Sequence, residues 1–203
     1  MVVSETKPDG RHLRVERNRS KIIQAMLELI RETGEVPTAD VIAERAEVSR
    51  RSVFRLFEDR ASLLRSTFEH MYTRVVEQYP FPDLTELGPR DKLRGLIGYL
   101  GWIYERVTPF RRISETLAGD RDVLQAERDR FQTVFGVDMR NTFRDIFPGV
   151  TASSEIIRDS LMTAMSWSAW HFLRTERGRS IEHTKAVMLH SVSTLLVAAG
   201  ASL

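Results

Sequence analysis

Apolar residues near the start of the chain recur at the spacing of one helix face. From Ile22 to Ile30 they stand at intervals of three and four residues, which predicts an amphipathic helix with a single buried stripe. Gly34 follows at the position where a helix commonly ends. The first helix is therefore expected to stop just before Gly34.

Three further helices are predicted next, each preceded by a residue that can accept hydrogen bonds from the first helical turn. Thr38 can cap a short second helix, Ser49 a third helix from Arg50 to about Leu56, and Asp59 a fourth helix that runs towards Val76. The residues expected to face inward on the second helix are Val41, Ile42 and Ala46.

The rest of the chain predicts five more helices and no strand, so we expect an all-α fold of about nine helices. The stretch from Tyr79 to Gly88 is expected to be a loop. Pro109 is expected to end the fifth helix and begin a sixth, because proline disfavours helix at the residue before it. The five expected helices cover residues 91–107, 109–119, 121–147, 155–177 and 181–199.

Composition narrows the class of protein. The 203 residues are 42% hydrophobic and 29% charged and contain no Cys, which excludes disulfides, thiolate metal sites and a Cys nucleophile. No apolar run is long enough to span a membrane, and the polar first residues do not form a signal peptide. We therefore expect a cytoplasmic protein with no membrane partner.

The near-neutral net charge of +2 conceals two basic clusters. Residues 10–21 carry a net charge of +4 and residues 49–65 a net charge of +3, which leaves −5 for the remainder. Clustered positive charge is typical of proteins that bind polyanions. A solvated helix face would give the same pattern, so the clusters alone do not decide between these alternatives.

The second and third helices have the layout of a helix-turn-helix. In that motif the second helix enters the major groove of DNA, and its first residues reach the base edges. Arg50 and Arg51 open the third helix, and Arg side chains suit guanine O6 and N7. Ser49 and Ser52 can bond to phosphates or bases, and Arg60 begins the fourth helix where it can meet a phosphate.

Residues 14 to 64 resemble the DNA-binding domain of the TetR family of bacterial transcriptional regulators. The resemblance rests on the segments 38–49, 50–57 and 58–60 and on the pair Leu63-Leu64. It implies a DNA-binding domain over residues 1–64 and a helical ligand-binding and dimerisation domain over residues 65–203. The DNA-binding residues that motif and resemblance together indicate are Thr38, Ser49, Arg50, Arg51, Ser52, Phe54, Arg55 and Arg60.

Three positions depart from the family pattern. Glu47 stands where the turn usually has Gly, Phe54 where a phosphate-contacting Tyr is usual, and Leu56 where an aromatic residue or His is frequent. If the turn requires a positive φ at Glu47, the substitution costs about 1 kcal/mol. The departures leave open an alternative, a helical ligand-binding or scaffold dimer whose DNA-binding domain is degenerate.

The resemblance also implies a homodimer formed through the last two helices, and a small-molecule effector bound among the middle helices. The function it implies is a transcriptional regulator, most simply a repressor that an apolar or aromatic effector releases from a palindromic DNA operator. Gly95, Gly98 and Gly101 in the fifth helix indicate either close helix crossing or room for that ligand. The residues expected to line the ligand cavity are Tyr99, Trp102, Phe131, Phe135, Met165 and Trp167.

The sequence contains no phosphate loop, metal-ligand spacing or Ser-His-Asp signature. We therefore expect no catalytic residue, metal or cofactor, and no enzymatic activity.

Overall fold

The computed structural model describes residues 10–116 and 155–201, and these residues are helical with short connections and no strand. The predicted all-α fold is confirmed. Among the described residues, 10–74 and 109–116 belong to one compact unit, and 75–108 and 155–201 to a second. The domain boundary expected between residues 64 and 65 stays a prediction.

The first helix ends where the sequence predicts but begins well before the apolar stripe at Ile22, and the next three helices begin and end close to their predicted positions. The first, α1, ends one residue before Gly34, whose φ of 70° is the left-handed conformation of a helix end. Thr38 accepts a hydrogen bond from the amide of Val41, and Ser49 accepts one from the amide of Ser52. The helices are α1 (Gly10–Thr33), α2 (Ala39–Arg45), α3 (Arg50–Leu56) and α4 (Arg60–Gln78).

The buried stripe of α1 forms the centre of the first unit. Ile22, Met26 and Ile30 are fully buried, as the periodicity predicts, and α1 packs against both α2 and α3. Ile42 is also buried, but Val41 is 42% exposed, so its predicted inward position is wrong. Adjacent helix positions differ by about 100° in direction, and the core takes Ile42 rather than its neighbour.

The fifth helix, α5 (Pro89–Thr116), runs without interruption through Pro109. The predicted end at this proline, and the separate sixth helix, are therefore wrong. A proline inside a helix costs about 3 kcal/mol, because it removes one backbone hydrogen bond and crowds the preceding turn. Val107, Phe110 and Ile113 are all buried, and burial contributes about 1.5–3 kcal/mol for each such side chain. Packing around the proline therefore outweighs its cost.

The single helix expected over residues 155–177 is interrupted. It consists of α6 (Glu155–Ala164), α7 (Trp167–His171) and one turn of π-helix (Phe172–Glu176). Ser166 lies between α6 and α7 and has an extended backbone, with ψ of 154°. Its side chain caps α7 by accepting a hydrogen bond from the amide of Ala169. The prediction of one continuous helix is wrong at this serine.

The last helix, α8 (Ile181–Ala198), starts at the predicted cap Ser180 and packs against α6. Gly178 and Gly200, with φ of 60° and 86°, flank it as expected. The helix predicted over 121–147 lies outside the described residues, and so do Phe131 and Phe135.

Candidate nucleic-acid interface

The third helix presents its cations to solvent because its apolar side is anchored. Val53 and Phe57 are buried within the first unit, while Arg51, Phe54 and Arg55 are exposed. Within the described residues, Arg51 and Arg55 form no ion pair. Their charge is therefore available to an external anion.

Arg50, the first residue of α3, is held differently. Its Nη1 lies 3.3 Å from Oδ2 of Asp40 on α2, and its guanidinium carbon lies 5.5 Å from the centre of the Phe54 ring. Both contacts are on the surface, since the Arg50 and Asp40 side chains are 63% and 64% exposed.

The two serines expected to bind DNA also bond to each other. The hydroxyl oxygens of Ser49 and Ser52 are 2.9 Å apart, and the Ser49 oxygen accepts from the Ser52 amide at 3.2 Å. Ser49 therefore secures the N-terminus of α3, as an N-cap does.

Thr38, Phe54 and Arg60 come together around one cavity. The cavity has a volume of about 320 Å³ and lies among α1, α2, α3 and the start of α4. Its floor is apolar and includes Met26 and Ile42, while Thr38 and Arg60 are exposed. Of the eight expected DNA-binding residues, Thr38 and Arg60 flank α3 and the other six lie on it or cap it.

Asp59 caps α4 beside Arg60. One of its carboxylate oxygens accepts from the amide of Ser62 at 2.6 Å, and this bond holds the pKa of Asp59 below its usual value. The carboxylate is thus engaged by its own helix, whereas Arg60 forms no ion pair within the described residues.

The turn between α2 and α3 does require a positive φ. Glu47 has a φ of 54° and is the one non-glycine residue in the described ranges with a positive value. Its carboxylate lies 3.3 Å from Nζ of Lys21, but the Glu47 side chain is 82% exposed, so this pair contributes little. Glu47 therefore carries the backbone cost expected of a residue that replaces glycine.

Arg19 belongs to the first basic cluster, but the fold uses its charge internally. Its Nη1 donates to the carbonyl oxygen of Leu56 at 3.1 Å, and its Nη2 donates to the hydroxyl of Ser66 at 2.9 Å. The guanidinium also lies 4.5 Å from the Phe57 ring centre. Sequence reasoning missed this role, because nothing in the local pattern separates Arg19 from its basic neighbours.

Two of the residues expected to line a ligand cavity belong to an aromatic cluster in the second unit. Trp102 stacks on Tyr79 with ring centres 4.3 Å apart, and Tyr99 stacks on Tyr79 and makes an edge-to-face contact with Phe81. Arg106 lies 3.6 Å from the Trp102 ring centre. The sequence indicated only a break at Tyr79 and Phe81 and gave no sign that these side chains complete the cluster.

Met165 and Trp167 belong to a different cluster in the same unit. The hydroxyl of Tyr104 donates to the carbonyl oxygen of Met165 at 2.6 Å, and the indole N–H of Trp167 donates to Thr108 at 2.9 Å. Trp167 also stacks on His171 at 4.7 Å. The expected ligand-lining residues that the structure describes therefore fall into two groups.

The three glycines of α5 differ in what surrounds them. A Cβ atom on Gly101 would lie 2.6 Å from the Trp170 ring, and one on Gly95 would lie 2.6 Å from Leu84. Near Gly98 no described atom lies within 4 Å of the corresponding position. Close packing thus explains Gly95 and Gly101, and it does not explain Gly98.

Similarity to known proteins is confined to the fold. No protein-family model and no curated protein matches this sequence. A crystal structure from Mesorhizobium loti at 1.54 Å, provisionally assigned to the TetR family of transcriptional regulators, matches with a TM-score of 0.57 and 16% identity. The match covers 91% of this chain and 98% of that one, so the two share a fold. Among the described helices, none has the length and apolar character to cross a membrane.

Proposed function

We propose that this protein is a TetR-family transcriptional regulator that binds double-stranded DNA as a homodimer and responds to a small molecule. The observation that carries the proposal is α3, a capped helix that presents Arg51 and Arg55 to solvent, where neither forms an ion pair with any described residue. The shared fold with the Mesorhizobium loti protein supports it.

In the proposed complex α3 lies in the major groove. Arg51 reads a guanine through O6 and N7, and Arg55 binds base edges or phosphates one turn further along. Hydrogen bonds to the phosphates of the DNA backbone come from the hydroxyl groups of Thr38, Ser49 and Ser52. Arg60 binds a phosphate beside the N-terminus of α4. Phe54 packs against the sugar-phosphate backbone without a hydroxyl.

The proposed dimer forms through α6 and α8. Large apolar side chains are exposed on these helices and on the π-helical turn. A dimer that buries them removes apolar surface from water, which stabilises the association. A dimer presents two copies of α3 to successive major grooves, so that a palindrome is read twice. The exposed side chains are Ile156, Met162, Phe172, Ile181 and Val197.

As a repressor, the dimer leaves its operator when an apolar or aromatic effector binds the second unit near Tyr99, Trp102, Met165 and Trp167. The effector must bind the released state more tightly than the DNA-bound state, because only a difference in affinity can shift the equilibrium. Phe131 and Phe135 are proposed to complete the ligand site.

The proposal is tested by the salt dependence of DNA binding. The full chain is used to select duplexes from a random 20-base-pair library, and the selected and scrambled duplexes are titrated by fluorescence anisotropy. We expect a palindromic consensus, two chains per duplex in sedimentation, and an affinity that falls steeply with salt concentration. Failure to bind any duplex with salt dependence would contradict the proposal.

Glu47 favours one alternative, a helical dimer whose DNA-binding domain has degenerated. Its left-handed conformation is strained, and a domain kept only for packing would tolerate such strain. The same titration separates the two functions, because the alternative predicts a dimer that binds no duplex.

A further inference from the structure

Arg50 differs from Arg51 and Arg55 on α3 because two side chains of the motif contact its guanidinium. Asp40 holds one end of its guanidinium at 3.3 Å, and the Phe54 ring lies alongside at 5.5 Å. Phe54 is one helical turn after Arg50 on α3, whereas Asp40 comes from the first turn of α2. The two helices of the motif therefore both constrain this side chain.

Stability of the fold does not account for this arrangement. Both partners of the ion pair are more than half exposed, and such pairs contribute little to folding. The pair also opposes DNA binding in general, because it places a carboxylate beside α3, and at physiological salt exposed charges repel one another over about 8 Å.

The ion pair with Asp40 still leaves Arg50 with donors that can bind DNA. A guanidinium has five N–H donors in a rigid fork, and the ion pair to Asp40 engages the Nη1 end. The ion pair and the Phe54 ring favour one orientation of the remaining donors before DNA arrives, so less rotamer freedom is lost on binding. An arginine that prefers one orientation favours one base position over its neighbours.

We propose that Asp40 determines DNA specificity by positioning Arg50 over Phe54. This inference rests on the proposed function and concerns the same interface. Asp40 directs Arg50 to one base position in each half-site, and its negative charge weakens binding to every duplex that does not offer the matching contact.

The experiment compares five variants of the full chain on the selected duplex and on a scrambled duplex of equal composition. The variants are Asp40→Asn, Asp40→Glu, Arg50→Ala, the double variant that combines Asp40→Asn with Arg50→Ala, and Glu44→Gln. Glu44 is the matched control, because it is exposed on α2 one turn after Asp40 and loses the same charge without an ion pair within the described residues. Asp40→Glu tests whether a carboxylate that can still reach Arg50 restores the wild-type behaviour.

We expect Asp40→Asn to bind the scrambled duplex more tightly and to lower the ratio of selected to scrambled affinity about five-fold or more. Repeated selection with this variant should lose the preference at one base position per half-site. Glu44→Gln should keep the ratio, Asp40→Glu should retain most of it, and Asp40→Asn should lower it no further once Arg50 is Ala.

Two results would overturn the inference while leaving the proposed function intact. Equal ratios for Asp40→Asn and Glu44→Gln would mean that Asp40 acts only by general repulsion. A lowered ratio for Asp40→Asn in the Arg50→Ala background would mean that it acts through another residue. If the wild-type chain selects no sequence and shows no salt-dependent binding, the proposed function falls, and this inference falls with it.

Discussion

Arg19 on α1 donates a hydrogen bond to the carbonyl oxygen of Leu56, the last residue of α3, at 3.1 Å. The last carbonyls of a helix lack partners within the helix and carry partial negative charge, so a guanidinium stabilises this end. Because Arg19 also donates to Ser66 on α4, this one side chain links α1 and α4 to α3, the proposed DNA-reading helix. The orientation of α3 therefore depends on a residue outside the helix-turn-helix.

The first prediction is that Arg19→Ala destabilises the fold by about 2 kcal/mol. The substitution removes two hydrogen bonds from a charged donor and one cation–π contact. Urea unfolding measures this loss. Arg17→Ala is the control, since Arg17 is exposed and forms no ion pair within the described ranges, so we expect a change within about 0.5 kcal/mol. Equal stability of the two variants would contradict a structural role for Arg19.

The second prediction concerns Arg51. Arg51→Ala should weaken binding to the selected duplex by about 1–3 kcal/mol and relax the preference at one base position, because a bidentate contact to guanine is lost. Anisotropy titration and repeated selection measure the two effects. Arg90→Ala removes the same charge from an exposed position at the start of α5 and should leave the base preference unchanged. If Arg51→Ala keeps the wild-type base preference at every position of the duplex, the proposed contact with guanine is excluded.

The third prediction concerns the strained turn. Glu47→Gly should stabilise the fold by about 0.5–1 kcal/mol, because glycine adopts a positive φ without the Cβ cost. Glu47→Ala removes the exposed pair with Lys21 but keeps the Cβ atom, so it should give no gain. Thermal unfolding distinguishes them, and a gain shared by both variants would show that the side chain, and not the backbone, is the source of the cost.

The helix ends were predictable because each depends on a local signal. Thr38, Ser49 and Ser180 cap helices through side-chain oxygens, and Gly34 ends one through its positive φ, all within three residues of the helix that they bound. These features are encoded by neighbours in the sequence, so they could be found without the fold.

The errors at Pro109 and Ser166 have the opposite origin. Local preference would end a helix at Pro109, but side chains buried around it outweigh that preference. At Ser166 the break accompanies two indole hydrogen bonds, from Trp167 to Thr108 and from Trp170 to Glu105. Both outcomes depend on residues distant in sequence, and so does the role of Arg19.

The candidate interface was predictable as a set of residues but not as an arrangement. The exposed positions of Arg51 and Arg55 follow from the helix period once Val53 and Phe57 are placed in the core. The ion pair between Arg50 and Asp40 does not, because it depends on the angle at which α2 meets α3.

The fourth prediction uses pH. Arg174 donates to both carboxylate oxygens of Glu105, at 2.8 Å and 3.0 Å, and these bonds lower the pKa of Glu105. The folded pKa lies below the unfolded one, so the stabilisation is present above the ordinary carboxyl range and is lost as pH falls through the lowered value. The stability advantage of wild type over Glu105→Gln should therefore shrink as pH falls through and below the ordinary carboxyl range.

Urea unfolding of both proteins across that range checks the fourth prediction. Other carboxylates with lowered pKa values, such as Asp59, titrate equally in both proteins and cancel in the difference. A difference in stability that does not change with pH would mean that the carboxylate charge of Glu105 does not stabilise the fold.

The fifth prediction separates two glycines on the same helix. Gly101→Ala should destabilise the fold by about 1–3 kcal/mol, because the new Cβ would lie 2.6 Å from a Trp170 ring that is buried and held by its hydrogen bond to Glu105. Gly98→Ala meets no described atom and should instead stabilise the helix by about 0.5–1 kcal/mol. Thermal unfolding of the two variants gives the comparison directly.

If Gly98→Ala also destabilises the fold, close packing accounts for all three glycines. If it stabilises the fold, the space is open, and it becomes the first place to look for the proposed effector. Binding of an aromatic probe such as 2-naphthoate, weakened in Gly98→Leu and unchanged in Gly88→Leu, would then locate the ligand site on this face of α5. Gly88 suits the control because it precedes α5 and no described atom lies within 4 Å of its Cβ position.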